Sequence, residues 1–277
     1  MTAIFCRYNC PAPPSPGQHC VKEDFDRYWS NASQWPHGRM PLSGENVTVN
    51  CNWTIIMDVD PAVCEFLTID GTVIISDISD RNIECQGIWI RAGSLQAGSA
   101  ATPFTHNLNI QINGFKNDSG YVFDDSLEGN KIFVVTGILS LYGISPSTVS
   151  TNLVASAFPG DTSLIVDSTS GWALGDEIVI APSFSSSREY ERVQITGISG
   201  NTVSFSSALL YTHYGAPAIT ISNSYGTLDT RASVGHVTRN IKFISGPDLA
   251  WGYTLVIYTM WEDGITYLAG QAILNSV

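Results

Sequence analysis

The stretch "FLTIDGTVII", residues 66–75, alternates apolar with polar side chains around a central glycine. Three later stretches resemble it: "GIWIRAGSLQAG" at 87–98, "NLNIQINGF" at 107–115 and "KIFVVTGILSLYG" at 131–143. In each of them a glycine follows an apolar position by two or three residues. Alternation with a period of two residues is typical of β-strands. The sequence therefore predicts short strands that recur along this part of the chain.

The four stretches recur at a nearly constant spacing. Their leading apolar residues are 21, 20 and 24 residues apart, namely Leu67, Ile88, Leu108 and Ile132. A repeat of this length is typical of one coil of a parallel β-helix, whereas the strands of a β-sandwich recur about every 8–12 residues. Recurring glycines allow the backbone to bend between faces, and these are Gly71, Gly93, Gly114 and Gly137. The predicted fold is all-β, with a right-handed parallel β-helix (solenoid).

The cysteines support the same register. All six lie near one end of the chain, and they are Cys6, Cys10, Cys20, Cys51, Cys64 and Cys85. An even number of cysteines close together predicts disulfides and an oxidising compartment. The alternative is a zinc site, which is disfavoured because the sequence contains no C-x-x-C pair. Cys64 and Cys85 each precede a leading apolar residue by three positions. Adjacent strands lie about 4.8 Å apart, within the Cα separation of about 4.4–6.8 Å that a disulfide spans, so these two are predicted to pair.

The remaining segments complete the predicted organisation. A small β insert is expected over 160–218, with a hairpin that turns at Gly200-Asn201. A Cys- and Pro-rich arm is expected over 1–34, because four prolines between 11 and 16 favour an extended path. We expect disulfides to staple this arm and the arm to act as an assembly contact. Coils are expected over 35–159 and again over 219–277.

The order of several motifs resembles a known family. "GENVTV" at 44–49 precedes the glycine-marked stretches, and "GWALGDEIVIAPS" at 171–183, "ALLYTHYGAP" at 208–217 and "RASVGHVTRNI" at 231–241 follow them. This order resembles the eight-glycine (G-eight) domain and its following parallel β-helix, from about residue 35 to 271. That family includes the fibrocystins and cell-surface proteins that bind or degrade hyaluronan.

The resemblance implies an extracellular protein of a cell surface or its coat. It also implies structural roles for the motif residues Gly175, Asp176, His213, Arg231, Arg239 and Asn240. Ser233 stands where the family usually has an acidic residue, and Tyr253-Thr254 stand where a later coil usually has Gly-His. These departures favour a scaffold over an enzyme.

No residue is predicted to be catalytic. We interpret His236 as part of a strand wall, and we expect His213 to bind backbone beside a turn. Arg231 and Arg239 are expected to form structural ion pairs, with Asp229 and Asp248 as candidate partners. Paired carboxylates could serve a glycosidase, and the candidate pairs are Asp58 with Asp60, Asp124 with Asp125, Asp176 with Glu177, Glu189 with Glu191, and Glu262 with Asp263.

A calcium site has weak candidates in Asp124, Asp125 and Glu128, but a solvated loop is the preferred interpretation because the order of an EF-hand is absent. No metal or cofactor is therefore predicted. N-linked glycans are expected in a secreted protein, and the sequons begin at Asn31, Asn46, Asn52 and Asn117.

The charge limits the possible partners. Only 14% of residues are charged and the net charge is −12, which excludes a basic footprint for nucleic acid and disfavours acidic polysaccharides. No apolar run reaches the roughly 18–20 residues of a transmembrane helix. We predict a non-enzymatic extracellular structural glycoprotein module of a cell-surface, fibre or coat assembly. Its expected partners are other copies of itself or other extracellular glycoproteins, and glycans are possible ligands.

The alternative function is a polysaccharide-binding or hyaluronan-degrading module that resembles a calcium-dependent glycosidase. The aromatic residues, 29 in all (7 Trp, 11 Tyr and 11 Phe), could supply surfaces on which sugars stack.

Overall fold

A computed structural model describes residues 21–277, apart from 119, 124–125, 185, 216–218, 221–226, 249, 258 and 263–265. For residues 121–123, 126–128, 219–220, 227–228, 260–262 and 266–267 it describes the backbone only. The described chain is all-β, as predicted, with two short 3-10 helices at Ala32–Gln34 and Ser187–Glu189. It divides into two compact units: unit 1 is the described chain up to Ile144 together with Arg239–Val277, and unit 2 is Ser145–Thr238.

Unit 1 contains two open parallel sheets. The six-stranded sheet has the order β1 (Arg27–Tyr28), β3 (Thr54–Met57), β5 (Thr72–Ile75), β7 (Ser94–Ala97), β12 (Ile138–Tyr142) and β25 (Gln271–Asn275). The seven-stranded sheet has the order β2 (Asn46–Val49), β4 (Cys64–Ile69), β6 (Arg81–Ile90), β11 (Ile132–Val135) and β22 (Thr254–Ile257), with β8 (Leu108–Ile112) beside β6 and β21 (Ile241–Ser245) beside β8. From β1 to β8, successive strands alternate between the two sheets. The right-handed solenoid stays a prediction.

The register agrees with the predicted period at one pair of strands and differs at two others. Leu67 lies opposite Ile88, as predicted. In β11 the residue opposite Ile88 is Phe133, which follows the predicted Ile132. Leu108 lies opposite Arg81, so its strand pairs with the first half of β6 and not with the half that contains Ile88. The ten residues of β6 make this possible, because they are long enough to pair with β8 and then with β11.

Three of the four predicted glycines form a column in unit 1. A Cβ atom on Gly93 would overlap the carbonyl oxygen of Gly71, and a Cβ on Gly137 would overlap the carbonyl oxygen of Gly93. Glycine is therefore required for the close approach of successive backbones, and each of the three also lies where the chain passes from one sheet to the other, as the expected bend requires. Gly114 does not join this column: its φ is +135° and it lies against Lys131.

The predicted disulfide between Cys64 and Cys85 is confirmed. The two residues face each other across β4 and β6, with their Cα atoms 4.5 Å apart, and both are buried. Cys51 is also disulfide-bonded. Cys6, Cys10 and Cys20 lie outside the described residues, together with the proline-rich part of the predicted arm.

Unit 2 is built around one antiparallel six-stranded sheet. Its order is β13 (Ser150–Asn152), β20 (Ser233–His236), β15 (Glu177–Ile180), β16 (Glu191–Ser199), β17 (Thr202–Phe205) and β14 (Ser163–Ile165). Leu153 bridges to Val166 next to the two edge strands, and the backbone N–H of Asp167 donates to the carbonyl of Asn152 at 3.0 Å. The sheet therefore closes on itself around an apolar core.

The predicted insert at 160–218 lies within unit 2. Its hairpin turns at Gly200-Asn201 as predicted, with Gly200 at a φ of +59°. The expectation that coils resume from residue 219 is wrong for Ser233–His236, because this strand pairs antiparallel with β13 and β15. Parallel pairing resumes in unit 1 at β21.

Three hairpins complete the strands of the described residues: β9 (Tyr121–Phe123) with β10 (Ser126–Gly129), β18 (Ile219–Thr220) with β19 (Thr227–Leu228), and β23 (Thr259–Glu262) with β24 (Thr266–Ala269).

Candidate functional site

His213 lies in the interior of unit 2, in contact with two chain segments. Its Nδ1 lies 2.9 Å from the carbonyl oxygen of Ala181, which is the backbone hydrogen bond predicted for it. Its Nε2 lies 3.0 Å from a carboxylate oxygen of Glu191. The ring is fully buried. The enclosed ring therefore holds two chain segments together.

Glu191 binds His213, which the sequence did not predict. The sequence suggested it, together with Glu189, only as a candidate glycosidase carboxylate. Its oxygens also accept the backbone N–H groups of Leu210 and Tyr211, at 2.8 and 2.9 Å. Burial by itself would raise the pKa of Glu191, but these backbone bonds and the bond from His213 outweigh it, so the pKa lies below its ordinary value. The carboxylate is therefore the centre of a satisfied internal network.

His236 forms the second buried histidine–carboxylate pair of unit 2. Its Nε2 lies 2.9 Å from Oδ2 of Asp176, and its ring lies against the indole of Trp172 with centroids 6.0 Å apart. Asp176 also accepts the backbone N–H of Ala173 at 2.7 Å and follows Gly175, whose φ of +89° belongs to the same turn. The interpretation of His236 as part of a wall agrees with this burial.

Arg231 joins two aspartates in unit 2. It lies 2.7 Å from Asp229, the partner predicted for it, and 3.0 Å from Asp167, which the sequence did not indicate. The hydrogen bonds from Arg231 hold the pKa of Asp229 well below its usual range. Arg231 also donates to the carbonyl oxygen of Leu153 at 3.2 Å. The cluster therefore has a structural role, as the ion-pair interpretation requires.

Asn240 has a structural role in unit 1. Its amide nitrogen donates to the carbonyl oxygens of Phe104 and His106, at 2.7 and 2.8 Å, and its amide oxygen accepts the N–H of Ile144 at 2.8 Å. The pairing of Arg239 with Asp248 stays a prediction.

Four aspartates of unit 1 bind residues 22–29 positions away, and we call these contacts aspartate bridges. Each aspartate accepts both a backbone N–H and a side-chain group of its partner. Asp58 binds Ser30, Asp60 binds Asn82, Asp77 binds Thr105 and His106, and Asp80 binds Asn107. The candidate acid pair of Asp58 and Asp60 is therefore engaged in holding unit 1 together.

The calcium candidates cannot be placed, because Asp124 and Asp125 lie outside the described residues and only the backbone of Glu128 is described. Elsewhere in the described part of the chain, no group of three or more His, Cys, Asp and Glu side chains could hold a metal ion. No helix among the described residues is long and apolar enough to cross a membrane.

The four sequons differ in their surroundings. Asn31, Asn46 and Asn117 are exposed, whereas Asn52 is half-buried and donates to Glu23 at 3.3 Å. The side-chain oxygen of Asn31 accepts the N–H of Ser33, the third residue of its own sequon, at 3.2 Å. Their glycosylation stays a prediction.

One cleft of unit 1 has a lining suited to a ligand. Its volume is about 340 Å³, and it opens on the seven-stranded sheet where β6 and β8 run side by side. It is lined by Glu84, Gln86, Gln111, Asn113, Gly114, Phe115, Asp118 and Pro247. Apart from Gly114, none of these residues was singled out from the sequence, because polar residues on the outer face of a strand carry no distinctive pattern.

Comparison with known proteins gives a family match over part of the chain. Residues 34–154 match the model of the G8 domain. Human fibrocystin-L is 32% identical over 230 residues, which are 80% of this chain and 5% of that protein. Dog fibrocystin is 32% identical over 155 residues, which are 55% of this chain and 4% of that protein. A G8 domain-containing protein of Dictyostelium discoideum is 26% identical over 214 residues, which are 73% of this chain and 15% of that protein. The chain thus spans about a twentieth of the fibrocystins that it matches.

Proposed function

We propose that this chain, which carries a G8 domain, is a non-enzymatic structural module of an extracellular glycoprotein at a cell surface or in a fibre or coat. The observation that carries the proposal is the engagement of its acid–base groups. His213 and His236 are buried against carboxylates, and the aspartate bridges engage four carboxylates of unit 1. The similarity to fibrocystins supports an extracellular location.

We further propose that unit 1 coils as a right-handed parallel β-helix. The support is the alternation of successive strands between two parallel sheets, with a disulfide joining residues 21 positions apart. Parallel strands joined by a crossover in one sheet are right-handed in nearly all proteins. Such a coil makes a stiff rod, which suits a module that spaces other parts of a surface protein.

Self-association is part of the same proposal. Strands β22 and β25 form one edge of each sheet, and they expose the apolar side chains of Ile257, Ile273 and Leu274. An edge strand with apolar side chains can pair with a further strand, whether this belongs to the same protein or to another chain. Other copies of this chain, or other extracellular glycoproteins, are the proposed partners. Sedimentation velocity at rising concentration should show association that charged substitutions at Ile273 and Leu274 reduce.

The competing function is degradation of hyaluronan, as in some proteins that this sequence resembles. Incubating the chain with hyaluronan, with and without calcium, and following the molar mass by light scattering separates the two functions. An unchanged molar mass agrees with a scaffold. Any shortening of the polymer contradicts it.

N-linked glycosylation is proposed on the exposed sequons. Expression in a secreting eukaryotic host followed by enzymatic deglycosylation should lower the mass and convert occupied asparagines to aspartate. The proposal predicts this conversion at Asn31, Asn46 or Asn117, and secretion without any conversion at these three sites would contradict it.

A further inference from the structure

We propose that the cleft on the seven-stranded sheet of unit 1 binds a short segment of an uncharged carbohydrate. Two of its polar side chains, Glu84 and Gln86, project from β6, and two more come from β8 and the residue after it. Gln111 lies opposite Glu84 in the sheet, and the N–H of Asn113 donates to the carbonyl of Cys85, which places Asn113 beside Gln86. Three amides and one carboxylate therefore share one face, about 4.8 Å apart across the strands.

Two of the three amides are held in fixed orientations. Gln111 Nε2 donates to Oδ1 of Asn113 at 2.8 Å, and it lies 3.4 Å from Oε2 of Glu84. Gly246 leaves the space for Asn113, because a Cβ at this position would overlap Oδ1 of Asn113. Within the described residues, these bonds leave Oε1 of Gln111 and Nδ2 of Asn113 for a ligand. Side chains that are already oriented lose little entropy on binding.

An aromatic ring borders this row of amides. Phe115 is 55% exposed, and its turn is fixed because its N–H donates to Oδ2 of Asp118 at 2.7 Å. Its carbonyl accepts the amide of Asn130. An exposed aromatic ring on a fixed backbone turn offers a flat apolar surface, which suits the C–H face of a sugar ring. Amide and carboxylate groups beside it suit vicinal hydroxyls, because they supply both donors and acceptors.

The charge of the lining selects against acidic ligands. Among the described residues that line it, only Glu84 and Asp118 are ionisable, and none is Lys, Arg or His. A uronate, sulfate or phosphate would meet two carboxylates without a counter-charge. A hydroxyl can instead donate to either carboxylate. The chemistry therefore fits neutral hexose or N-acetylhexosamine units and opposes hyaluronan. This site goes beyond the scaffold function and does not depend on it.

The test uses the full chain and defined oligosaccharides. Maltotetraose, mannotetraose, chitotetraose and a hyaluronan tetrasaccharide are titrated by saturation-transfer NMR and by calorimetry. We expect at least one neutral tetrasaccharide to bind more tightly than the hyaluronan tetrasaccharide, with contacts that do not weaken at raised salt. Gln111→Ala and Phe115→Ala should each weaken binding about tenfold, which corresponds to the loss of one or two hydrogen bonds or of a stacking contact.

Gln96→Ala is the matched control, because Gln96 lies on β7 of the other sheet, where it donates to Ser94 at 3.0 Å. It should bind as the unmodified chain does, and circular dichroism should show all three variants folded. Two results overturn the proposal: no neutral tetrasaccharide binds at millimolar concentration, or Gln111→Ala and Phe115→Ala both bind as tightly as Gln96→Ala. Tighter binding of the hyaluronan tetrasaccharide overturns the selectivity for uncharged sugars.

Discussion

Unit 1 and unit 2 both hold their strands together with polar side chains, but they place these side chains differently. In unit 1 the aspartate bridges join segments 22–29 residues apart, and successive backbones approach through a column of glycines. In unit 2, histidine–carboxylate pairs lie inside a closed antiparallel sheet. Stacked parallel strands need a contact that repeats at every coil. A closed sheet needs a few contacts that fix particular loops.

The glycine column gives the largest expected effect. Gly93→Ala should destabilise unit 1 by more than about 4 kcal/mol, because the new Cβ overlaps the backbone of Gly71 and neither backbone can move without breaking strand pairing. Gly252→Ala is the control in the same unit, since nothing lies within 4 Å of a Cβ there. Urea unfolding measures both. Equal stability of the two variants would contradict the conclusion that Gly93 is required for close approach of the backbones.

Breaking the buried ion pair between Arg91 and Asp70 in unit 1 should have the next largest effect on stability. Arg91 donates through Nε to Asp70 at 2.6 Å, and the two side chains are only 2% and 6% exposed. Asp70→Ala should lower the free energy of unfolding by about 3–5 kcal/mol, because it removes a buried carboxylate that binds the guanidinium of Arg91 through two oxygens. Glu45→Ala, which removes an exposed pair with Arg39, is the control and should have little effect.

Removing the disulfide should affect unit 1 more than unit 2. The Cys64→Ala and Cys85→Ala double variant should lose about 3 kcal/mol of stability, the amount expected for a loop of this length. The double variant is preferable to chemical reduction, because Cys51 is also disulfide-bonded. Hydrogen exchange should increase in the peptides of unit 1. An equal increase in unit 2 would show that the units do not unfold separately.

Acid should also destabilise unit 1 by weakening the aspartate bridges, and this effect should be smaller than that of removing the disulfide. Burial would raise the pKa values of Asp58 and Asp77, but the hydrogen bonds from their partners outweigh it and hold both below the ordinary value of 3.8. A carboxylate with a depressed folded pKa stabilises the fold above its unfolded pKa, and this contribution is lost as the pH falls through the folded value. Unit 1 should therefore lose stability as the pH falls below about 4.

Asp77→Asn tests one bridge in isolation. The variant should be slightly less stable at neutral pH, by under about 1 kcal/mol because the site is partly exposed. Its stability should also depend less on pH below about 4 than that of the unmodified chain. An unchanged pH dependence would show that Asp77 has the same pKa in the folded and the unfolded chain.

The difference between the units also explains what the sequence could predict. In unit 1 the period of about 21 residues predicted the strands, the register of Leu67 with Ile88 and the pairing of Cys64 with Cys85. The position of Leu108 was wrong, because a period cannot show that β6 is long enough for two partners.

In unit 2 no such repeat exists. Strand β13 pairs with β20 about 80 residues later, and a local pattern does not identify so distant a partner. For the same reason, the local sequence did not predict the contact of His213 with Glu191 or that of Arg231 with Asp167. Both depend on how distant loops meet. What the sequence did indicate was the type of residue, since each of these histidines and arginines was expected to have a structural role.

We propose that the buried acid–base groups of this chain stabilise the fold and do not perform catalysis. The stability of a Glu191→Gln variant tests it most directly, because glutamine keeps the shape of the side chain and removes its charge. The account predicts a loss of at least about 1 kcal/mol in urea unfolding, since a carboxylate that accepts bonds from His213, Leu210 and Tyr211 is replaced by an amide. Catalytic residues are commonly held at a cost to stability, so unchanged or increased stability of this variant would contradict the account.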